Sequence, residues 1–241
     1  MEKMISHKHK FIFIHIPKTG GTSIERRFVP FAGHDEHEVS YKHDSAIQMK
    51  QKFSQEWKDY FKFSIVRNPW DWLVSRFFWS KQRDTIKETC SFKKFIVIIG
   101  NLEMPDFFFT DCISNMHDKE GVTGGKTASE INWQYLDGFE AFKDICDENK
   151  SKFLIRSLRS QLDMIRDPSE NFLVDFVGKI ENLQQDFDTI CEKIGVDKKN
   201  LRHTTKSNHK NYRQYYDNET RDIVAELYSK DIKYFGYKFH E

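Results

Sequence analysis

The stretch Phe11–Ser23, FIFIHIPKTGGTS, limits what this chain can fold into more than any other. Phe11 to Ile16 is an apolar run rich in β-branched and aromatic residues, which reads as a strand buried on both faces. Pro17 ends it. Gly20 and Gly21 let the backbone turn tightly and come close to a bound group. Thr22, Ser23 and the following IERRF read as the first turns of a helix. A strand, a glycine loop and a helix N-terminus in that order form a cradle for an anion, because free backbone N–H groups and the positive helix end point the same way. Lys18 lies inside the loop, within reach of whatever the loop holds. A plain turn has no need of the Lys, Thr and Ser residues around the two glycines.

A second unit of the same kind spans Phe63–Trp79, FSIVRNPWDWLVSRFFW. Phe63 to Val66 reads as a short strand. Asn68 is a good N-cap, Pro69 suits the first helical position, and Asp71 in the first turn favours the helix dipole. Trp70, Leu73, Val74, Phe77 and Phe78 recur at helical spacing as a core stripe, and Ser75 falls off it. Arg67 leaves the carboxyl end of the strand, where open α/β sheets place ligands. Its guanidinium fork suits a phosphate better than a lysine would.

With 241 residues the chain is expected to form a single α/β domain, 1–241. Its 38 basic and 37 acidic residues leave a formal charge of +1. No global field draws it to nucleic acid or to a membrane, so anion binding has to be local. Cys90, Cys112, Cys146 and Cys191 form no CxxC pair and read as free thiols. The N-terminal MEKMISHKHK lacks the apolar core of a signal peptide, and no apolar run nears the ~20 residues that span a bilayer. A cytoplasmic location is the expectation.

His34, His37 and His43 lie in the polar stretch 33–45, which enters a helix near Ser45. They lack a helical i, i+4 pair, so no metal is expected there. Residues 84–152 are the variable part: a helical Ser91–Ile99, an aromatic cluster at Phe107–Phe109, a glycine-rich surface loop at 121–129 and an amphipathic helix over Gly138–Lys150. Phe153–Ile155 reads as a short strand or an extended connection. Leu173–Ile180 reads as a third strand. Leu183, Phe187, Ile190, Cys191 and Ile194 make the face of the helix after it, which Gly195 stops. Asp217 caps a last helix with the face Ile223, Val224, Leu227, Tyr228 and Ile232. Before it runs a basic loop with His203, Lys206, Ser207, His209, Lys210 and Arg213.

The common nucleotide-triphosphate loop, GxxxxGK[ST], puts its lysine after the last glycine. Here Lys18 precedes Gly20 and Gly21, and PKTGGTS resembles the 5′-phosphosulfate loop of sulfotransferases. Those enzymes use 3′-phosphoadenosine 5′-phosphosulfate (PAPS). Arg67 and Ser75 are spaced like the Arg and Ser of that family's 3′-phosphate motif. DFVGKIENLQQDF and the preceding RSQ at 159–161 resemble segments of the Golgi-type carbohydrate sulfotransferases, heparan and chondroitin types included, and of their soluble bacterial relatives. No stretch of residues 1–241 reads as the transmembrane anchor of the Golgi enzymes, and the middle region matches no named pattern.

The resemblance implies a three-layer α/β sandwich around a mainly parallel sheet, with a 5′-phosphosulfate loop like that of P-loop nucleotidases. It implies PAPS as co-substrate, no metal, and a saccharide or other small hydroxyl compound as acceptor, with 84–152 near the acceptor. Lys18, Thr19, Gly20, Gly21, Thr22 and Ser23 would hold the 5′-phosphosulfate, Arg67 and Ser75 the 3′-phosphate, and Lys206 and Ser207 would close over the nucleotide. Lys18 would also neutralise the leaving oxygen. His43 is the expected general base, at the family's distance before the Arg67 strand in the uronyl 2-O-sulfotransferases. His34, His37 and His203 stay open as bases, as do the carboxylates Glu36 and Glu38. Two rival functions remain: a P-loop-type nucleotide kinase, which would need a lysine after the glycines and a carboxylate on Mg²⁺, and a non-catalytic nucleotide-binding module.

Overall fold

Phe11–Ile14 is buried along its whole length, as its composition requires, and forms an inner strand. The computed structural model describes residues 4–28, 43–102, 139–146, 150, 154, 155, 157–201 and 209–240. His34, Glu36, His37, Glu38, Cys112, the 107–109 cluster, the 121–129 loop, His203, Lys206 and Ser207 lie outside them. Among the described residues the chain runs β1 (Ile5–Ser6), β2 (Phe11–Ile14), α1 (Gly21–Phe28), α2 (Ala46–Lys52), α3 (Glu56–Asp59), β3 (Phe61–Val66), α4 (Pro69–Gln82), α5 (Phe92–Gly100), α6 (Phe139–Ile145), β4 (Phe176–Lys179), α7 (Leu183–Ile194), α8 (Asn218–Leu227) and α9 (Ser229–Phe235). They fall into two compact units, the first holding the described residues up to 67 and those of 161–201, the second the remainder.

The first unit carries a mixed four-stranded sheet in the order β1-β2-β3-β4. β1 pairs antiparallel with β2, whereas β2–β3 and β3–β4 are parallel, with Phe13 opposite Phe63 and Ile65 opposite Gly178. Parallel neighbours need a crossover between them, and α1 to α3 lie in the connection from β2 to β3. Aromatic rings fill the space between sheet and helices. Phe13 stacks on Phe63 at 4.9 Å, Phe28 of α1 meets Phe11 at 4.9 Å, and Phe187 of α7 meets Phe28 at 5.3 Å. Burying each such ring stabilises the fold by about 1.5–3 kcal/mol.

Two strands are shorter than their apolar runs. β2 ends at Ile14, where its ladder with Ser64 ends, although His15 and Ile16 stay buried. β4 covers Phe176–Lys179 rather than Leu173–Ile180: Leu173 N–H donates to the Ile165 carbonyl at 2.9 Å, and Ile180 opens a 3₁₀ turn. α7 stops at Gly195, which caps it in the left-handed conformation with φ 67°.

In the second unit α4 begins as its sequence dictates. Asn68 Oδ1 accepts from Trp70 N–H at 3.1 Å and Pro69 takes the first position. The one-sided stripe does not hold. Trp72, Ser75, Arg76 and Ser80 are buried along with Trp70, Leu73, Val74 and Phe77, because α5, α8 and the Tyr212–Tyr215 turn all pack on α4. Ser75 is therefore a core residue, 1% exposed, not a residue off the core face. The last helix breaks at Tyr228 into α8 and α9, which leaves Leu227 39% exposed while the Tyr228 hydroxyl donates to the Leu158 carbonyl at 2.6 Å. Leu154 and Ile155 are helical rather than extended. Cys90, Cys146 and Cys191 are buried free thiols. No described helix is long and apolar enough to cross a membrane.

Candidate active site

The loop from Pro17 to Gly20 joins the carboxyl end of β2 to the first turn of α1. Two of its residues take left-handed backbones, Lys18 at φ 69° and Gly20 at φ 86°. Glycine adopts this at no cost; a lysine held there stores of order 1–3 kcal/mol. Its neighbours hold it in place. Thr19 is buried and its hydroxyl donates to the Ile16 carbonyl at 2.8 Å, while Ser23 N–H donates to the Gly20 carbonyl at 3.0 Å. Thr22 and Ser23 are half-buried on the first turn of α1. That turn carries no acidic residue, and Arg26 and Arg27 occupy the last turn, in keeping with the helix dipole.

Arg67 lies beside this loop. It follows the last residue of β3, and its Nη1 donates to the Lys18 carbonyl at 3.1 Å. Its own backbone is gripped by Gln161, which is fully buried. Gln161 Oε1 accepts from Arg67 N–H at 2.8 Å, and Gln161 Nε2 donates to the Arg67 carbonyl at 2.7 Å. One side chain thus replaces two ladder partners at the strand end, and the guanidinium is delivered to the loop. Two cationic residues, a glycine turn and a helix N-terminus suit a phosphate or sulfate group.

His43 reaches the same unit from the other side of α1 in sequence. Its ring is exposed, and its Nδ1 lies 3.2 Å from the His15 carbonyl. A carbonyl oxygen only accepts, so Nδ1 carries a proton, and in the neutral ring the lone pair belongs to Nε2. That is the tautomer a general base needs. The chain beyond His43 is fixed by α2: Ser45 and Gln48 form a capping box, and Asp44 pairs with Lys52 at 2.8 Å. Ser75 belongs to the second unit, where it sits in the core.

Sequence reading passed over three residues. His15 is 3% exposed and meets the buried carboxylate of Glu25 through Nδ1. Its ring occupies the space that a Cβ on Gly21 would need, so Gly21 is glycine for packing as well as for the turn. A polar residue inside an apolar run was the available signal for His15. Gln161 lies in the RSQ segment, but nothing local gives its role, since its partner is 94 residues away.

Among the described residues no group of three His, Cys, Asp or Glu side chains is placed to share a metal ion. Searches of curated proteins and of solved structures give no match. The profile of the sulfotransferase family matches residues 1–238, almost the whole chain. Together with a mixed α/β sheet, this places the chain in the sulfotransferase family, whose members are sulfuryl-group transferases that act on small-molecule acceptors and generally draw on PAPS.

Proposed function

We propose that this chain moves the sulfuryl group of PAPS to a hydroxyl of a saccharide or similar small acceptor, as a soluble carbohydrate-type sulfotransferase, and releases adenosine 3′,5′-bisphosphate. The observation that carries the reading is the Arg67–Lys18 contact, which joins the residues of two phosphate motifs at one loop. The loop suits a nucleotide phosphosulfate: Gly20 supplies the left-handed turn into the first turn of α1, and Lys18 and Arg67 supply charge. PAPS supplies an activated S–O bond.

In this reading the N–H groups of Gly20, Gly21 and Thr22 and the hydroxyls of Thr22 and Ser23 hold the 5′-phosphosulfate, and Thr19 stiffens the loop. Lys18 and the helix N-terminus balance the negative charge that grows on the 5′-phosphate oxygen as its bond to sulfur breaks. His43 Nε2 takes the acceptor's hydroxyl proton while the acceptor oxygen forms its bond to sulfur. Arg67 is the anchor for the 3′-phosphate. Ser75, Lys206 and Ser207 are assigned to the nucleotide from the family motifs, and 84–152 to the acceptor. No step calls for a metal.

Calorimetry with adenosine 3′,5′-bisphosphate and adenosine 5′-phosphate tests the nucleotide site. The bisphosphate should bind more tightly in metal-free buffer, and Arg67→Ala should erase most of the difference. Incubation with labelled PAPS and a panel of hydroxyl acceptors should then yield a product heavier by one sulfate. Equal affinity for the two nucleotides, or binding only of ATP with Mg²⁺, overturns the reading. Tight bisphosphate binding with no transfer to any acceptor leaves a nucleotide-binding module.

A further inference from the structure

Within the transfer reading above, we propose that His15 and Glu25 are positioning residues that set the tautomer and place of the base His43. Neither side chain is available to a substrate. His15 is 3% exposed, and the Glu25 side chain 1%. A buried imidazole and a buried carboxylate are costly apart and gain little together over apolar packing. Their geometry gives them a task instead.

The His15 ring is fixed on three sides. Phe13 lies nearly parallel to it, with centroids 5.5 Å apart and 14° between the planes. Nδ1 meets the Glu25 carboxylate. The Cδ2–Nε2 edge fills the space beside Gly21. Gly21 and Glu25 are four residues apart and so share one face of α1. The ring therefore grips the helix at two points one turn apart, at the residue where β2 gives way to the loop.

A residue held so firmly by its ring has a fixed carbonyl. That carbonyl is the acceptor for His43 Nδ1 at 3.2 Å, and the two imidazoles lie 4.8 Å apart at 55°. His43 is exposed, so water alone would not hold it in one tautomer. The His15 carbonyl demands a proton on Nδ1 and leaves the lone pair on Nε2. Removing the Glu25 carboxylate frees the His15 ring, lets its carbonyl turn, and returns His43 to a mixture of tautomers. Glu25 acts on the proton transfer only through His43.

The test uses the full chain and two readouts. Long-range ¹H–¹⁵N correlation spectra at a pH where His43 is neutral report which ring nitrogen bears the proton. Wild type should show His43 protonated on Nδ1. Glu25→Met, which keeps the volume but offers only a weak thioether acceptor, should lose that preference, and Glu25→Gln, whose amide oxygen still accepts from His15, should retain it. In turnover, Glu25→Met should lower kcat by about 10–100-fold, the range seen for carboxylates that orient metal-binding histidines, with a smaller change in bisphosphate affinity. It should add almost nothing to His43→Ala in the double variant. An unchanged His43 tautomer in Glu25→Met, or losses that multiply in the double variant, would overturn the proposal. If Glu25→Met does not fold, His15→Phe keeps a ring in the seat without Nδ1 and carries the same readouts. The spectra need no donor, so they decide on His15 and Glu25 even if wild type transfers no sulfuryl group.

Discussion

Exchanging Gln161 for leucine keeps most of the side-chain volume and removes both polar contacts to the Arg67 backbone, at 2.8 and 2.7 Å. A buried donor or acceptor left without a partner costs about 1–3 kcal/mol. Gln161 is fully buried but Arg67 is only half-buried, so water reaches part of the exposed peptide and offsets some of the loss. A total of about 1–3 kcal/mol for the pair follows. Gln161→Glu probes the same grip with a sign. Its carboxylate still accepts from Arg67 N–H but faces the Arg67 carbonyl with a second oxygen in place of a donor. At pH 7 this variant should be destabilised at least as much as Gln161→Leu.

On acidification the introduced carboxyl takes a proton and donates as the amide did. Burial beside a carbonyl raises its folded pKa above the ~4.3 of an unfolded glutamate. The deficit is therefore full above the folded pKa and vanishes below the unfolded one. Urea unfolding followed by circular dichroism at pH 7 and pH 4 measures both effects. Because the same grip sets where Arg67 meets the Lys18 carbonyl, bisphosphate affinity should fall by about tenfold, roughly 1.4 kcal/mol. Wild-type stability in Gln161→Leu, together with no recovery of Gln161→Glu in acid, would mean that Gln161 does not hold the Arg67 peptide.

Lys18→Ala should lower kcat far more than bisphosphate affinity, since its charge matters most as the leaving oxygen gains charge; equal losses would make it a ground-state anchor. Gly21→Ala should cost about 1–3 kcal/mol in urea unfolding, because its Cβ must displace the His15 ring. The Asp217 carboxyl is held far below the usual carboxylate range by its hydrogen bond to Lys93 and by its cap on Thr220 N–H. Its folded pKa is depressed, so its stabilising effect is complete above the unfolded value and disappears as pH falls through the folded one; Asp217→Asn should flatten the acid limb of the stability curve. Arg76 is buried against Trp72 with no hydrogen bond at Nε or Nη2 among the described residues, and burial pushes its pKa down to about 10. Arg76→Met should raise stability by about 1–3 kcal/mol at pH 7, by the logic of buried charges, and a lower urea midpoint would refute this.

The elements were legible wherever local chemistry chooses them. Asn68 with Pro69, Ser45, Ser91 and Asp217 are side chains that satisfy the first free N–H groups of a helix, and all four sit at the starts expected of them. Gly195 ends α7 because a left-handed residue is needed there. Errors arose where tertiary packing decides. Period alone assigns α4 one apolar face, but neighbours on several sides bury Ser75 and Arg76 as well. Period also runs α8 and α9 together, because it carries no trace of the break at Tyr228, whose buried hydroxyl donates to the Leu158 carbonyl.

The candidate site divides along the same line. Lys18, Gly20, Gly21 and Arg67 were readable because each sits inside a short motif whose order has a physical reason. The groups that fix them are backbone atoms and distant side chains. Arg67 finds the Lys18 carbonyl, Gln161 holds the Arg67 peptide, and His43 leans on the His15 carbonyl. A main-chain carbonyl is present at every position, so no residue pattern announces which one will be used. Its use is decided by what locks its dihedrals, and here those locks are the left-handed Lys18, the seat of His15 under Gly21 and the side chain of Gln161. A chain with a formal charge of only +1 has no long-range field to gather an anion. Binding in the proposed reading then depends on short-range fit, and short-range fit depends on these backbone locks. Substitutions that loosen a lock without touching a charge should therefore weaken the site as surely as loss of a cation.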